Sequence, residues 1–439
     1  MAESTTIAFS CSSGAGDPPP ARASASIPSF SSASGSEIPS SAASASDDAS
    51  DVLTHPSLPS LHSLLPPLPS SPTISASFLQ LSSITPAGAG GAAALAVSPS
   101  SPFLYSASHS SLSIYDLSEL RCIDAVPSPS CAGAAKSVSF SPDGATIFTA
   151  HQDGFIRVWR RSSISNLHRL VASLPTASDR LCRTLLPKNY VTVRRHSKRL
   201  WIEHADAVSD VAASARCLYS VSWDKTLKVW SASSLRCLES VAAHDDAVNA
   251  VAVAADGTVF TGSADRTIRV WIRPEGEKRH ELRATLEQHR SPVNALALSP
   301  DGSVLYSGAG DRSILVWERK ETAAYMAVTG ALGGHDRAIL SLACAGEIVV
   351  SGSADRTVRV WTRAAEGRRY SCLAVMVGHA RGVRSLAAVR MPAGGGGASA
   401  GAGDEEDYRV CSGSLDGEVR VWQVRTTSIP EKLKSTSTN

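Results

Sequence analysis

The sequence predicts an all-β protein in which one unit of strands recurs along the chain, behind a tail rich in Ser, Ala and Pro. Two observations support this fold class. Six Asp/Trp pairs, each separated by six residues, recur between residues 153 and 422. The segments around these pairs alternate apolar and polar residues, which is typical of strands with one buried face. Regular recurrence over such a length indicates a repeat architecture.

The most regular copy of the unit runs from Gly334 to Trp361 and reads as a three-stranded meander. A Gly-His pair opens it, Asp355 marks its second turn and Trp361 closes its third strand. A Ser or Thr stands four residues before each Asp, and a His opens five copies. These five sets are His204, Ser220, Asp224, Trp230; His244, Thr261, Asp265, Trp271; His289, Ser307, Asp311, Trp317; His335, Ser351, Asp355, Trp361; and His379, Ser412, Asp416, Trp422. A sixth copy has Thr149, Asp153 and Trp159, and a degenerate first copy has only Tyr115 in the aromatic place.

The composition of the chain allows a large hydrophobic core and limits the cellular compartments in which we expect the protein. It has 439 residues, 43% of them hydrophobic, and a net charge of +2, which gives no broad attraction to nucleic acid or anionic membranes. Nine cysteines without a C-x-x-C pair suit a reducing compartment, so we expect the cytoplasm, the nucleus or both. The N-terminus lacks the basic and apolar regions of a secretory signal, and no apolar run is long enough to span a bilayer.

Residues 1–75 hold few large apolar groups and cannot bury enough surface to offset the entropy of ordering. We therefore predict a disordered N-terminal tail, and a second short one over residues 426–439.

The repeat period, the Gly-His start and the aromatic close resemble those of the WD-repeat β-propellers. The resemblance covers residues 76–425 and implies a seven-bladed, monomeric propeller. The last copy ends at its third strand, so we expect the segment near Phe78–Ile84 to supply the missing fourth strand.

Two segments exceed the repeat period. The first is an insertion over residues 174–200, whose end near Lys198–Glu203 we expect to form the outer strand of the second blade. The second is a Gly-, Ala- and acid-rich run over residues 392–407, predicted to be a flexible surface loop. The insertion, tail and ring together resemble the plant Jingubang-type WD-repeat proteins, which implies a regulatory protein in signalling or transcription during plant growth or reproduction.

The repeated Ser, His and Asp are residue types of catalytic triads, but an active site is needed once rather than in every copy. The WD-repeat resemblance implies that they form structural hydrogen-bonded tetrads with the Trp. Phosphate-binding loops, G-x-S-x-G and H-E-x-x-H are absent from the sequence. We therefore expect a protein that is not an enzyme and that holds neither metal nor cofactor.

The resemblance implies that binding residues lie on the narrow face, beside the His loops and the Asp turns. Aligned positions give Lys136, Gln152, Ser209, Trp223, Asn249, Asn294, Leu340 and Arg384. Trp223 is of the type that anchors interfaces, although it could instead pack on a neighbouring loop. A basic rim follows the turn Asp in four blades, at Lys225, Arg266, Arg312 and Arg356. Such a rim favours acidic or phosphorylated peptides, unless the side chains are simply solvated.

The function predicted is thus a non-enzymatic protein–protein interaction scaffold, whose partners are other regulatory proteins rather than nucleic acid. One alternative is a substrate receptor of a cullin-RING ubiquitin ligase, because Asp311, Trp317, Glu318 and Lys320 loosely match the docking box of such receptors. The cluster of Arg194, Arg195, His196, Lys198 and Arg199 is either a nuclear address, a patch for an acidic partner or the solvated face of an outer strand.

Overall fold

The computed structural model describes residues 74–84, 94–129, 133–162, 167–194, 197–319, 326–363, 370–392 and 405–428. Most of the two predicted tails therefore lies outside the described residues. The parts that are described belong to strands, which begin at residue 74 and end at residue 428.

The described residues contain seven four-stranded antiparallel sheets, here called blades 1 to 7. The first strand of the described residues, β1 (Ile74–Ile84), belongs to blade 7. Blade 1 holds β2 (Ala94–Val97), β3 (Phe103–Ala107), β4 (Ser111–Asp116) and β5 (Arg121–Pro127). Blade 2 holds β6 (Ala135–Phe140), β7 (Thr146–His151), β8 (Ile156–Arg161) and β9 (His168–Leu174).

Between blades 2 and 3 the insertion forms α1 (Ala177–Thr184), a 3-10 turn (Pro187–Asn189), β10 (Tyr190–Arg194) and β11 (Ser197–Leu200). Blade 3 then holds β12 (Val208–Ala213), β13 (Cys217–Ser222), β14 (Thr226–Ser231) and β15 (Cys237–Ala242). Blade 4 holds β16 (Val248–Val253), β17 (Val259–Ser263), β18 (Ile268–Ile272) and β19 (Glu281–Leu286).

Blade 5 holds β20 (Val293–Leu298), β21 (Val304–Ala309), β22 (Ile314–Arg319) and β23 (Met326–Leu332). Blade 6 holds β24 (Ile339–Ala345), β25 (Ile348–Ser353), β26 (Val358–Arg363) and β27 (Tyr370–Met376). Blade 7 holds β28 (Val383–Arg390), β29 (Glu405–Ser414) and β30 (Val419–Ser428), followed by β1.

The innermost strands of the blades contact one another in chain order, and β28 of blade 7 contacts β2 of blade 1. The ring is therefore closed, and the prediction of a seven-bladed β-propeller is confirmed. Each apolar cluster is shared between neighbours, as where Val229 of blade 3 packs with Val251 and Trp271 of blade 4. Closure buries both faces of every sheet, which no isolated blade could achieve.

The last blade is completed from the other end of the chain, as the sequence predicts. β1 pairs antiparallel with β30, from Ile74 opposite Ser428 to Ile84 opposite Val419. The degenerate first copy also forms a complete blade, although Tyr115 replaces its Trp. The pattern of apolar residues is sufficient for a blade even without the polar tetrad.

Two predictions about the segments that exceed the period are wrong. The outer strand of blade 2 is β9, whereas the segment near Lys198–Glu203 contains β11, which pairs with β10 in a separate hairpin. Both segments contain a run of three apolar residues, Leu170–Ala172 and Leu200–Ile202, so the sequence pattern alone could not distinguish them. The predicted loop 392–407 is also too long, because Glu405, Glu406 and Asp407 begin β29 and pair with β30.

Candidate functional site: the channel and the narrow face

The inner strands carry a β-bulge at the same place in six blades. Pairing with the second strand slips between the first and third residues of β6, β12, β16, β20, β24 and β28. A bulged residue leaves the ladder and its side chain is turned in a new direction. The bulged residues are Lys136, Ser209, Asn249, Asn294, Leu340 and Arg384, which are six of the eight predicted binding residues.

These six side chains and Trp223 line one cavity of about 230 Å³ at the centre of the ring. The narrow face is defined here as the side carrying the loops that enter each inner strand and the turns between second and third strands. Gln152, the remaining predicted residue, is exposed on the turn of blade 2 and does not line this cavity.

Three of the predicted binding residues hold neighbouring blades together. Asn249 donates from Nδ2 to the carbonyl of Val293 (2.9 Å), and Asn294 does the same to Ile339 (2.8 Å). The Ser209 hydroxyl donates to the carbonyl of Val248, which opens the next blade. These bonds satisfy carbonyls that the bulges leave outside the ladder. The role of Ser209, Asn249 and Asn294 in the ring is therefore structural.

Lys136, Trp223 and Arg384 form the part of the channel wall that remains free for a ligand. The Lys136 ammonium lies 5.1 Å from the centre of the Trp223 ring, a cation–π distance. Burial first, and then the neighbouring charge of Arg384, lower the pKa of Lys136. Desolvation also lowers the pKa of Arg384, although its side chain is exposed to the channel. Within the described part of the chain, neither cation has an acidic partner.

Asp210, next to Ser209, is an acid of the channel wall that sequence analysis did not identify. It accepts hydrogen bonds from the backbone N–H groups of Val211 (2.9 Å) and Val251 (2.9 Å). Burial nevertheless outweighs these bonds and raises the pKa of Asp210 to about 6. Its charge therefore changes near neutral pH, inside the channel that also holds Lys136.

The four residues of the predicted basic rim share an unusual backbone. Lys225, Arg266, Arg312 and Arg356 all have φ between 71° and 74°, in the left-handed region that favours glycine. Blades 2 and 7 have Gly154 and Gly417 at the equivalent place. The turn thus demands a positive φ, and four blades meet this demand with an exposed cation.

In blades 3 to 6 the repeated polar residues form one hydrogen-bonded chain per blade. In blade 6 the Trp361 indole donates to the Ser351 hydroxyl (2.8 Å), which meets His335 Nε2 (2.8 Å). His335 Nδ1 lies 2.7 Å from Asp355 Oδ2. The equivalent contacts in blades 3, 4 and 5 are His204 with Ser220, Asp224 and Trp230, His244 with Thr261, Asp265 and Trp271, and His289 with Ser307, Asp311 and Trp317.

This arrangement assigns every proton without conflict. The Trp donates to the hydroxyl, the hydroxyl donates to Nε2, and Nδ1–H donates to the carboxylate. Burial lowers the pKa of His335, which keeps its ring neutral, while Asp355 stays ionised. Burial would raise the pKa of Asp355, but hydrogen bonds from Thr357 and His335 outweigh it and lower that pKa to about 2. The Ser351 hydroxyl is fully buried and also accepts from the Trp361 indole, so it is not accessible to a substrate, and the chain braces the blade.

The predicted tetrad of blade 7 lacks its bond between His379 and Asp416. His379 Nε2 meets Ser412 (2.7 Å) and Trp422 donates to the same hydroxyl (2.8 Å), but His379 Nδ1 is buried without a hydrogen-bond partner. The residue two after the turn Asp is Thr or Ser in blades 3 to 6, whereas here it is Glu418. Asp416 keeps the bond from the Ala380 backbone N–H that its equivalents also accept, as Asp355 does from Asp336, but it lacks the bond from the His.

Within the described residues, His379, Asp416 and Glu418 are also the group whose ligand-type atoms could surround a metal ion, lying within 4.8 Å of one another. Arg420 Nη2 already lies 3.0 Å from Glu418 Oε2 and supplies a positive charge there. We assign no metal to this group.

Blade 2 lacks an opening His, and His151, the last residue of β7, replaces it. The Trp159 indole donates to Thr149 (2.9 Å), whose hydroxyl meets His151 Nε2 (2.8 Å). Burial lowers the pKa of His151 to about 4. Asp153, freed from this chain, pairs with Arg157 (2.6 Å). The sequence did not identify His151, because it lies at a different spacing from every other His of the repeat.

The insertion exposes a cluster of apolar side chains. Leu181 is 70% exposed and Leu185 is 83% exposed, and they are joined by Leu186, Tyr190 and Val191. The helix α1 is capped by Thr176, whose hydroxyl accepts from the Asp179 backbone N–H (3.2 Å). Arg183 lies over the Trp201 ring at 4.7 Å and fixes the helix to the hairpin end. This ordered segment thus presents leucines outward.

The residues of the predicted ligase box are already engaged in the fold. Trp317 is 2% exposed and belongs to the tetrad of blade 5. Glu318 pairs with Arg363 of blade 6 (2.7 Å), and Lys320 lies outside the described residues. The predicted basic cluster is partly outside them as well, at Arg195 and His196, whereas Lys198 and Arg199 are exposed on β11. No described helix has the length and apolarity needed to cross a membrane.

Comparison with known proteins agrees with this architecture. The family model described as "WD domain, G-beta repeat" matches residues 127–160, 196–231, 235–271, 280–318, 327–362 and 370–423, together more than half of the chain. Blade 1, which lacks the tetrad, is largely outside these matches.

Similar curated proteins include Protein ROOT INITIATION DEFECTIVE 3 of Arabidopsis thaliana, 28% identical over 41% of this chain and 38% of that protein. Autophagy-related protein 16 of Arabidopsis thaliana is 27% identical over 40% of this chain and 37% of its own length. Apoptotic protease-activating factor 1 of Rattus norvegicus is 26% identical over 42% of this chain and 12% of that protein. The chain therefore spans well under half of the length of the curated relatives it matches.

Proposed function

The chain belongs to the WD domain, G-beta repeat family, and from this premise we propose that it is a non-enzymatic scaffold that binds regulatory proteins on the narrow face of its propeller. WD-repeat propellers generally act as protein-interaction scaffolds.

One observation carries the proposal, namely that Lys136, Trp223, Leu340 and Arg384 converge on a single cavity of the narrow face. Ser209, Asn249 and Asn294 are occupied by bonds between blades, whereas these four side chains are not. An exposed Trp beside two cations without acidic partners provides both an anchor and a charge preference. The partner that fits is a protein segment with an apolar and an acidic side chain.

The insertion provides a second surface for the same scaffold. Leu181, Leu185 and Leu186 on and after α1 are largely exposed, which is uncommon for an ordered segment without a partner. We propose that a second protein binds here, so that the ring joins two partners.

The setting of this function is also part of the proposal. We place the protein in the cytoplasm, the nucleus or both, since its seven described cysteines are free thiols. The resemblance to Jingubang-type proteins supports a regulatory role in plant growth or reproduction. Because the ring closes with its own N-terminal strand, we propose that it acts as a monomer.

Proximity labelling in cells tests the proposal, with the wild type compared with the double variant Trp223→Ala and Arg384→Glu. The matched control is Lys278→Glu, an exposed charge in the loop between the third and fourth strands of blade 4, away from the narrow face. We expect the double variant to lose a set of labelled proteins that the control retains. Identical protein sets for all three forms would refute binding at the channel.

The ubiquitin-ligase alternative is not part of this proposal. Its Trp317 is buried and its Glu318 is paired with Arg363, so the matching residues have structural roles. Recovery of a cullin-linker protein with the wild type, and its loss on a Lys320→Ala change, would restore that alternative.

A further inference from the structure

A larger cavity of about 570 Å³ opens on the narrow face between blades 6 and 7. Three arginines line it, Arg337 from the loop before β24, Arg356 from the turn of blade 6 and Arg381 from the loop before β28. All three are exposed. The apolar side chains of Ala354 and Leu415 complete the wall, and Leu415 is 42% exposed.

None of the three arginines is in an ion pair or a side-chain hydrogen bond within the described part of the chain. Some other guanidinium groups of the described residues are paired, such as Arg157 with Asp153 and Arg363 with Glu318. Three guanidinium groups that converge without partners form a site prepared for an anion.

Two acidic side chains, Asp336 and Asp355, also line the cavity and reduce its net positive charge. Asp355 already accepts from His335, from the Thr357 hydroxyl (2.7 Å) and from two backbone N–H groups. Its lone pairs are therefore occupied. Asp336 is exposed, and a bound anion would compete with its carboxylate for the three arginines.

The backbone at Arg356 allows this side chain to be removed without loss of the turn. Its φ of 74° lies in the left-handed region, where Gly would be unstrained, as Gly417 is at φ 87° in blade 7. Lys225, Arg266 and Arg312 share this positive φ, so it belongs to the turn of the repeat and not to this cavity alone.

The equivalent groove between blades 3 and 4 has the opposite character. Asp206 and Asp246 occupy the positions that Arg337 and Arg381 hold, two residues after each opening His. The rim cation there, Lys225, is already bound to the carbonyl of Asp245 (2.6 Å). The predicted basic rim is therefore not uniform, because Lys225 is bound to a backbone carbonyl whereas Arg356 lies beside two further arginines.

We propose that the cavity between blades 6 and 7 binds a phosphorylated Ser or Thr side chain of a partner protein. A phosphate monoester has nearly two negative charges and three acceptor oxygens, which match three guanidinium groups better than one carboxylate does. Leu415 and Ala354 offer apolar contact to residues beside the phosphate, and the cavity is much larger than a phosphate ion. This inference rests on the narrow-face function proposed above and specifies its partner.

Fluorescence anisotropy with the full chain tests the inference, using labelled degenerate peptides centred on phosphothreonine and the same peptides centred on Thr. We expect the phosphorylated pool to bind at least about tenfold more tightly. Arg356→Gly should reduce that affinity about tenfold while preserving the turn, because Gly417 holds the same place in blade 7. Asp336→Asn should increase the affinity.

The matched control is Arg266→Gly, the same change in the turn of blade 4, which we expect to leave the affinity unchanged. Equal affinity for the two peptide pools, or an equal loss in both Gly variants, would overturn the inference. Displacement of the phosphopeptide by an equal concentration of inorganic phosphate would overturn its assignment to a protein partner. If Trp223→Ala still removes partners in cells while Arg356→Gly does not, the narrow-face function stands and this inference alone fails.

Discussion

The groove between blades 3 and 4 and the groove between blades 6 and 7 have the same backbone and opposite charge. Both blades 3 and 6 hold a complete tetrad, at His204 and His335, and both turns hold a basic residue at positive φ. One groove is flanked by Asp206 and Asp246 and the other by Arg337 and Arg381. The repeat therefore fixes the framework, and the residues at its variable positions decide what each groove can bind.

Loss of the closing strand should have the largest effect, because both grooves exist only in a closed ring. Deletion of residues 1–90 removes β1 and leaves the edge of β30 unpaired. We expect this form to lose the cooperative unfolding transition in circular dichroism. Deletion of residues 1–70 spares β1 and should retain the transition, and an unfolded 1–70 deletion would contradict this account.

Acidification should lower the free energy of unfolding of the ring, because buried histidines occur in the blades of both grooves. Burial lowers the pKa values of His151, His204, His244, His335 and His379. Below pH 6.5 the unfolded chain binds protons that the folded chain does not, so the free energy of unfolding should fall as pH decreases. Each histidine contributes up to about 1.4 kcal/mol per pH unit, down to its folded pKa, which is about 4 for His151.

Asp210 opposes this trend but cannot reverse it. Its folded pKa of about 6 exceeds its unfolded value, so its burial penalty is relieved as pH falls from 6 toward 4. One acid acts against five histidines. Urea titrations between pH 7 and pH 5 that show constant or rising stability would contradict the neutral assignment of the tetrad histidines.

Removal of one tetrad histidine should cost the same in either groove. His204→Ala and His335→Ala each leave a buried hydroxyl and a carboxylate without their partner, at a cost of about 2–4 kcal/mol. Urea unfolding of the two variants measures this. A loss of partner binding in only one of the two variants, at equal stability, would contradict a purely structural role.

Repair of the seventh tetrad should have the smallest effect. Glu418→Thr supplies the hydroxyl that Thr357 provides in blade 6, and it allows His379 Nδ1 to reach Asp416. The change also removes the ion pair between Glu418 and Arg420 and the Ser83 contact, so the expected gain is about 1 kcal/mol. Thermal unfolding measures it, with Thr357→Glu in blade 6 as the reciprocal variant that should lose stability.

The sequence was sufficient for the ring and insufficient for its surface. The Asp/Trp spacing locates six blades, and the missing strand after Trp422 predicts β1, because both follow from chain periodicity. Periodicity could not separate β9 from the hairpin strand β11, since each lies at a short apolar run and neither alternates regularly. The bonds from Asn249 and Asn294 to the next blade, and the grouping of Arg337 with Arg381, join residues more than forty positions apart. Only the closed ring brings them together.

The most direct measurement of the central claim is partner recovery from two charge variants that retain the framework. One carries Arg337→Gln and Arg381→Gln, and the other carries Asp206→Asn and Asp246→Asn. Asparagine retains an oxygen to accept from the Ala207 and Ala247 backbones. With equal expression and equal stability, affinity purification from cells should show a loss of partners for the arginine variant and none for the aspartate variant. Unchanged partners for both, or a loss confined to the aspartate variant, would contradict the assignment of binding to the basic side of the narrow face.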